Sequence, residues 1–311
     1  MAEFTFAPSK HVPFRDAEVL ERVRRIRRER IAEHPNPDFR ISVLPDADFD
    51  ARWTQDIFAR IKRSADEGRR LVLVLPNPCP SYRFVAWLLN ICRTDCRHLH
   101  VFIMDEYADQ DGRVAPEGWP LGFMHSFKKH FWGQIDPALR PPEEQIHGPT
   151  TENIGDYSRM LADAGGADVC YSGPGWTGHL AFVEPDAPEF AAASLEEWKR
   201  LGARIVTLSP FTLAQNSLHG SFGMSGDLAA VPPKAATIGP ADVLAAKFRI
   251  QAHALKVHGT ATSWQRLMTR LVLHGPVTPL VPESICQAAR TDAWVSESNA
   301  RDIAPDWNKG Y

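Results

Sequence analysis

Two short stretches carry side chains able to move protons. The first, MDEY (104–107), closes an apolar run and contains two adjacent acids, Asp105 and Glu106. The second, GPGWTGHLAFVEP (173–185), holds His179 and Glu184 five positions apart across a short apolar segment. A histidine steered by a carboxylate shuttles protons near neutral pH. The same loop spells Gly173-x-Gly175-x-x-Gly178, the glycine spacing of a dinucleotide-binding turn. That reading needs the third glycine to open a helix long enough to cross back to a parallel strand. Pro185 and Pro188 cut such a helix short. The glycines are therefore expected to let the backbone turn closely around a small ligand while His179 and Glu184 face it. A core histidine satisfied by its neighbour, and a solvated acidic turn at 105–106, are the functionless alternatives.

A third cluster, Cys92-x-x-x-Cys96-x-His98-x-His100, has metal-ligand residue types. Gathering all four around one ion requires a sharp reversal, and no Gly or Pro is present to make it, so packing is the expectation and no metal is assigned. The five cysteines, an odd count spread over 311 residues, read as reduced thiols.

The elements that must position these groups follow a strand–helix rhythm. An amphipathic helix is expected from Asp16 to Glu33, with Val19, Val23, Ile26 and Ile31 on one stripe, docking on its own domain or on a partner subunit. The break HPNPDF (34–39) follows. Strands are expected at 41–45, 71–76, 100–107, 167–173 and 204–209, followed by the segment KAATIG (234–239), with helices after the first two strands and through YSRMLADAG. LVLVLP (71–76) is a continuous apolar run, the mark of a central strand buried on both faces. This alternation predicts an α/β fold, a mostly parallel sheet with helices on both faces. Residues 1–40 read as an N-terminal helical extension, and 41–311 as a single domain. In such sheets ligands bind beyond the carboxyl ends of the strands. That edge selects PNPCPS (76–81), MDEYAD and the histidine loop.

The formal net charge of −3 and the 23% charged content give no electrostatic case for nucleic acid or a membrane surface. No apolar run approaches membrane-spanning length, and MAEFTFAPSKHVPF lacks a signal-peptide core, so a cytoplasmic location is expected.

MDEY (104–107), FMH (123–125), G-x-G-x-x-GHLAF-x-EP (173–185), VPPKAATIG (231–239) and PES-I-CQ (282–287) occur in an order that resembles the glucosamine-6-phosphate deaminase/isomerase family, over roughly residues 41–290. The resemblance implies a NagB/ribose-5-phosphate isomerase-like sheet and two tasks. Asp105 would move a proton between C2 and C1 of an open-chain amino sugar, with release of ammonia. His179, steered by Glu184, would open the sugar ring. The partner implied is a small-molecule sugar or sugar phosphate, with no cofactor, and the family's habit extends to a homo-oligomer.

The sequence departs from the family at defined positions. Thr177 stands where an aspartate precedes the histidine by two residues, and threonine cannot carry the charge that stabilises an imidazolium. The first loop, rich in Gly and Thr in the family, reads PNPCPS, and its three prolines remove N–H donors from an anion-binding nest. Arg204 remains from a basic pair, Leu218 replaces an arginine, and Lys256 is the candidate for the last phosphate cation. His219 and His253 are candidates to replace lost charge. The substrate contacts implied are Asn77, Ser81, Glu106, Gly173, Gly175, Trp176, Thr177, Gly178 and Arg204, with Trp176 able to stack on a sugar face. The expected function is an isomerase/deaminase-like enzyme with a degraded phosphate site. The alternatives are a lactonase-type hydrolase using His179 to activate water, or a silent sugar-binding regulator.

Overall fold

The computed structural model describes residues 4–254, 256–257, 260–261, 265–305 and 307–308, with backbone alone at 256–257 and 260–261. The elements in chain order are α1 (Ala17–Arg24), β1 (Phe39–Leu44), α2 (Phe49–Asp66), β2 (Leu71–Leu75), α3 (Tyr82–Ile91), β3 (Leu99–Ile103), β4 (Asp105–Ala108), α4 (Phe123–His130), β5 (Ile146–His147), α5 (Tyr157–Asp163) and β6 (Val169–Ser172). They continue with α6 (Leu195–Trp198), β7 (Arg204–Thr207), α7 (Pro210–Asn216), β8 (Lys234–Thr237), α8 (Pro240–Ala245), β9 (Phe248–His253), β10 (Lys256–Val257), β11 (Thr260–Ala261), α9 (Arg266–His274), β12 (Thr291–Ser296) and α10 (Glu297–Ala300).

Among the described residues a seven-stranded sheet runs β1-β12-β9-β6-β2-β3-β5, parallel at every pairing. All five residues of β2 are buried, as a strand covered on both faces must be. Helix packing supplies the cover. Trp53, Ile57 and Ile61 share one stripe of α2 and are buried in the same core as Val85 and Leu89 of α3.

The run at 100–107 is two strands, not one. Its first half, β3, pairs with β2 in the main sheet. After Met104 the chain leaves that sheet, and β4 pairs antiparallel with β8. Met104 is the hinge, donating its N–H to Leu75 in one sheet and accepting from Ile238 beside the other, at 3.1 and 3.0 Å. The stretches at 204–209 and 234–239 belong to this second sheet, ordered β4-β8-β7 and antiparallel, rather than to the parallel one. The short runs RIVT and KAAT bury only part of their length, which suits an edge layer more than a central strand.

The N-terminal helix also ends earlier than its stripe predicts. Asp16 caps α1, accepting from the Val19 N–H at 3.0 Å, and the helix stops at Arg24. The Ile26 carbonyl is taken instead by the buried Arg270 guanidinium at 2.8 Å, and the Arg28 N–H goes to Asp302 at 2.8 Å. Val23 still packs with Phe14, Leu271 and Val272, so the stripe docks on α9, while Ile31 joins the main core.

Glu106 ties β4 to the start of α4. Its carboxylate accepts from the backbone N–H groups of Tyr107, Phe123 and Met124 at 2.9, 3.0 and 2.8 Å, which closes the N-terminus of α4. The expectation that Glu106 touches substrate is thereby corrected, because its oxygens are occupied by the helix end. Glu106→Ala would strand buried donors and is expected to cost about 2–4 kcal/mol in urea unfolding. Unchanged stability would show that this cap does not anchor α4.

Candidate active site

The corner after Met104 delivers Asp105 to the carboxyl edge of the parallel sheet. There a cleft of about 280 Å³ is lined by Asn77, Cys79 and Ser81 from the β2–α3 loop, by Gly173, Gly175 and His179, and by Asp105. Phe49, Asp50 and Trp53 close it from the start of α2, and Gln215, Asn216 and His219 from the end of α7. Asp105 is 5% exposed, and its Oδ1 has no hydrogen-bond partner. Burial, and then the adjacent Glu106, push its carboxyl well above the ordinary aspartate range.

The glycine loop exists to seat the histidine. A Cβ on Gly175 would overlap the His179 ring, so only glycine lets the imidazole lie against the backbone. Gly178 takes φ +77°, and a Cβ there would meet Met268 at 2.7 Å. After His179 the chain reverses through Ala181, at φ 50°, into an isolated bridge between Leu180 and Val183, with no helix. A dinucleotide turn would need that helix.

Three groups surround the imidazole Nδ1: Thr212 Oγ1 at 3.0 Å, Thr177 Oγ1 at 3.3 Å and Glu184 Oε2 at 3.9 Å. Ser209 donates to the Thr212 hydroxyl at 3.4 Å, behind that contact. Glu184 is fixed through its other oxygen, which accepts the Ser209 N–H at 3.0 Å. Burial lowers the His179 pKa, opposed by Glu184, so the ring is neutral at neutral pH.

Asn77, Ser81, Gly173 and Gly175 line the cleft together with Asp105 and His179. Glu184, Thr177 and Gly178 stand behind the histidine as its supports. Trp176 is not among the lining residues; its N–H donates to Gln215 at 2.7 Å. Arg204 is also elsewhere. Its guanidinium donates to the carbonyls of Glu189 and Gly202 at 2.7 and 3.1 Å and lies over the Phe190 ring. Those carbonyls satisfy a half-buried cation that would otherwise have sought an anion.

Sequence reading missed Phe49, Trp53, Thr212, Gln215 and Asn216. The first two follow β1 at the same carboxyl edge, so the rule that selected the other loops applies to them as well. Thr212, Gln215 and Asn216 belong to α7, reached from a strand of the second sheet, and no spacing announces them. His219 lines the cleft, but burial and the neighbouring His179 lower it to about 4, so it supplies no charge. His253 lies outside the lining, bound to Gln251 and Thr269, and is lowered to about 3. No lysine or arginine lines the cleft among the described residues. The Lys256 side chain lies outside the described residues.

The other cysteine and histidine cluster is dispersed. Cys92 is exposed, Cys96 donates to the Thr94 carbonyl at 3.4 Å, and His98 meets Ser64 at 2.7 Å. Among the described residues no helix is long and apolar enough to cross a membrane.

No family model matches the chain. Individual proteins do. A glucosamine-6-phosphate deaminase of Rhodopirellula baltica is 30% identical over 232 residues, 73% of this chain and 80% of that one. One from Caenorhabditis elegans is 30% identical over 65% of this chain and 69% of its own length. The chain belongs to the glucosamine-6-phosphate deaminase family. A Porphyromonas gingivalis member is 29% identical over 79% of this chain and 92% of its own. The fold agrees with a solved monomeric glucosamine-6-phosphate deaminase of the NagB superfamily, with TM-score 0.66 and 18% identity over 84% of this chain and 98% of that one. It also agrees with 6-phosphogluconolactonase from Leishmania guyanensis, with TM-score 0.59 and 13% identity over 85% and 98%. The chain is thus a divergent member of a family of carbohydrate metabolism, on an α/β fold the family shares with lactonases.

Asp105 has a consequence for stability. In the unfolded chain it ionises near pH 3.9, whereas in the fold its proton is held to higher pH. Between those values the native state binds the extra proton, so this group's contribution falls as pH rises. Asp105→Asn removes that loss. Its melting temperature is expected above wild type at pH 8, with the gap shrinking toward pH 4; a lower melting temperature at pH 8 would contradict the burial argument.

Proposed function

We propose that this protein is an isomerase/deaminase that rearranges an open-chain 2-amino sugar by proton transfer and releases ammonia, breaking a C–N bond by addition of water. The observation that carries the reading is a carboxyl with an unpartnered oxygen and a neutral imidazole facing one cleft. That pair suits one group working at carbon and another at the ring oxygen. On this reading residues 41–311 form the enzyme domain and residues 1–40 its extension.

His179 donates its Nε2 proton to the ring oxygen and takes the anomeric hydroxyl proton, which opens the ring to the aldehyde. Ionised Asp105 removes the C2 proton while the substrate ammonium gives a proton to the C1 oxygen, which yields a neutral enolamine; Asp105 then returns its proton to C1 and leaves a C2 iminium. Water adds at C2, and ammonia departs to leave the ketose. An amino sugar also explains how Asp105 comes to be ionised in so dry a place: a substrate ammonium supplies the opposite charge that the empty cleft withholds. Thr212 and Thr177 hold the imidazole in the tautomer that opens the ring, and Glu184 steadies it as it gains charge.

Turnover in D2O tests these roles. Wild-type enzyme is expected to place deuterium at C1 of the ketose, and Asp105→Asn to lose that exchange by on the order of 10³-fold. His179→Gln is expected to lose about 10²-fold on ring-closed substrate. Full turnover by both variants would place the chemistry elsewhere.

A further inference from the structure

A buried acid that the proton-transfer steps do not use lies against the histidine loop. Glu283 belongs to the 3-10 helix Pro282–Ala288 and is fully buried. One of its carboxylate oxygens collects the donors: Ser172 Oγ at 2.6 Å, Gln251 Nε2 at 3.0 Å and, more distantly, Cys286 Sγ at 4.0 Å. Burial raises this carboxyl to about 7 against the pull of Ser172 and Gln251.

A further layer aims those donors. His253 Nε2 lies 2.9 Å from Gln251 Oε1, an atom that can only accept, so the histidine donates and the Gln251 amide N–H groups turn toward Glu283. They reach its backbone carbonyl as well, at 3.1 Å. Thr269 meets the other ring nitrogen at 3.2 Å, and burial lowers His253 to about 3, so the ring stays neutral. Gln251, His253, Thr269 and Glu283 are all fully buried. Apolar side chains of similar volume would fill this space without the desolvation cost of an acid, an amide and an imidazole. What distinguishes the polar set is what it holds.

It holds the histidine loop at both ends. The Glu283 side chain takes Ser172, the residue before Gly173, and its N–H donates to the carbonyl of Gly178, the residue before His179, at 2.9 Å. Both ends are also tightly packed. A Cβ on Gly173 would collide with the Ala252 carbonyl, and one on Gly178 would meet Val281, two residues before Glu283, at 2.9 Å. Between these ends the loop closes on itself, Gly178 donating to the Gly175 carbonyl at 3.1 Å, and Gln215 steadies the Trp176 N–H. A loop pinned at both ends cannot slide, and that fixes how far the imidazole reaches into the cleft.

We infer that Glu283 is a positioning residue for His179, a buried clamp on the two ends of the glycine loop that sets where the imidazole stands in the cleft. The inference rests on the ring-opening role given to His179 above. Proton transfer demands near contact, and a displacement of about 1 Å costs up to about 10²-fold in rate.

A double-mutant cycle with His179→Gln tests it, read as ammonia release from glucosamine and from glucosamine 6-phosphate, the faster of the two serving as the probe. Glu283→Ala is expected to lower kcat by on the order of tenfold or more, with KM within about threefold of wild type. In the His179→Gln background the same change should cost less than about twofold, because the ring it positions is gone. Glu283→Gln keeps an acceptor for Ser172 and Gln251 and should stay within about twofold of wild type. Ser172→Ala cuts the side-chain tie and leaves the acid in place. Its smaller loss in kcat should vanish in the same background, and it carries the cycle if Glu283→Ala does not fold. Equal losses in both backgrounds, a loss confined to KM, or wild-type kcat in Glu283→Ala would overturn the clamp while leaving the role of His179 intact. Full activity of His179→Gln would instead overturn the ring-opening reading. If neither sugar is converted, the clamp and that reading fall together.

Discussion

A carboxyl group buried without a counter-charge is the constraint around which this molecule is arranged. Asp105 has lost its water, sits next to a second acid, and faces a cleft with no lysine or arginine among its described lining. Such a group is tolerated only if the surroundings cannot relax to solvate it. The fold secures this by placing Asp105 at a corner between two sheets. Met104 is tied to Leu75 on one side and to Ile238 on the other, so the backbone at 105 cannot swing out without breaking both layers. Glu106 completes the restraint through three bonds to backbone N–H groups. One acid of the pair is fully satisfied so that its neighbour can be held unsatisfied, and the contrast separates an anchor from a base.

The histidine is restrained by the same economy of space. Its ring lies against a glycine, and its Nδ1 is met by residues from two places in the chain, the loop itself and α7. Ser209 joins them, binding Glu184 through its backbone and Thr212 through its hydroxyl. A shift of α7 would therefore disturb the imidazole's tautomer and the carboxylate's position together. The second, antiparallel sheet matters for that reason: β7 and β8 set where α7 begins, and β4 carries Asp105. Base and ring-opening group share one small platform.

What the sequence revealed of this follows from which contacts are local. The central strand was legible because five buried residues stand consecutively, and the histidine loop because its glycines, His179 and Glu184 are contiguous. The β3–β4 corner was not legible, since an apolar run looks the same whether it stays in one sheet or changes sheets. The adjacent acids were half legible. Successive side chains of a strand point to opposite faces, so Asp105 and Glu106 could not both face one ligand. Which one turned inward depended on α4, whose N-terminus needed a carboxylate. Arg204 misled for a related reason. A basic residue near a predicted site suggests an anion, but two carbonyls and an aromatic face satisfied it first. Thr212 gave no signal, being an ordinary residue in the first turn of a helix, and its importance arises only from meeting a ring 33 positions away.

Thr177 and the raised carboxyl of Asp105 describe one consistent electrostatic environment. An aspartate two residues before the histidine would put a second carboxylate on Nδ1 and favour an imidazolium. A threonine there, with Thr212 beside it, favours the neutral ring and leaves Glu184 alone to meet a transient charge. A neutral ring is compatible with a cleft that has no lysine or arginine among its described lining, because an imidazolium would add a permanent positive charge and lower the carboxyl it faces. Conversely, a cleft equipped with arginines for an anion would depress Asp105 and weaken it as a base. Removing positive charge from the wall and negative charge from behind the histidine thus act in the same direction. Both keep the acid and the imidazole uncharged until a ligand arrives that brings charge with it.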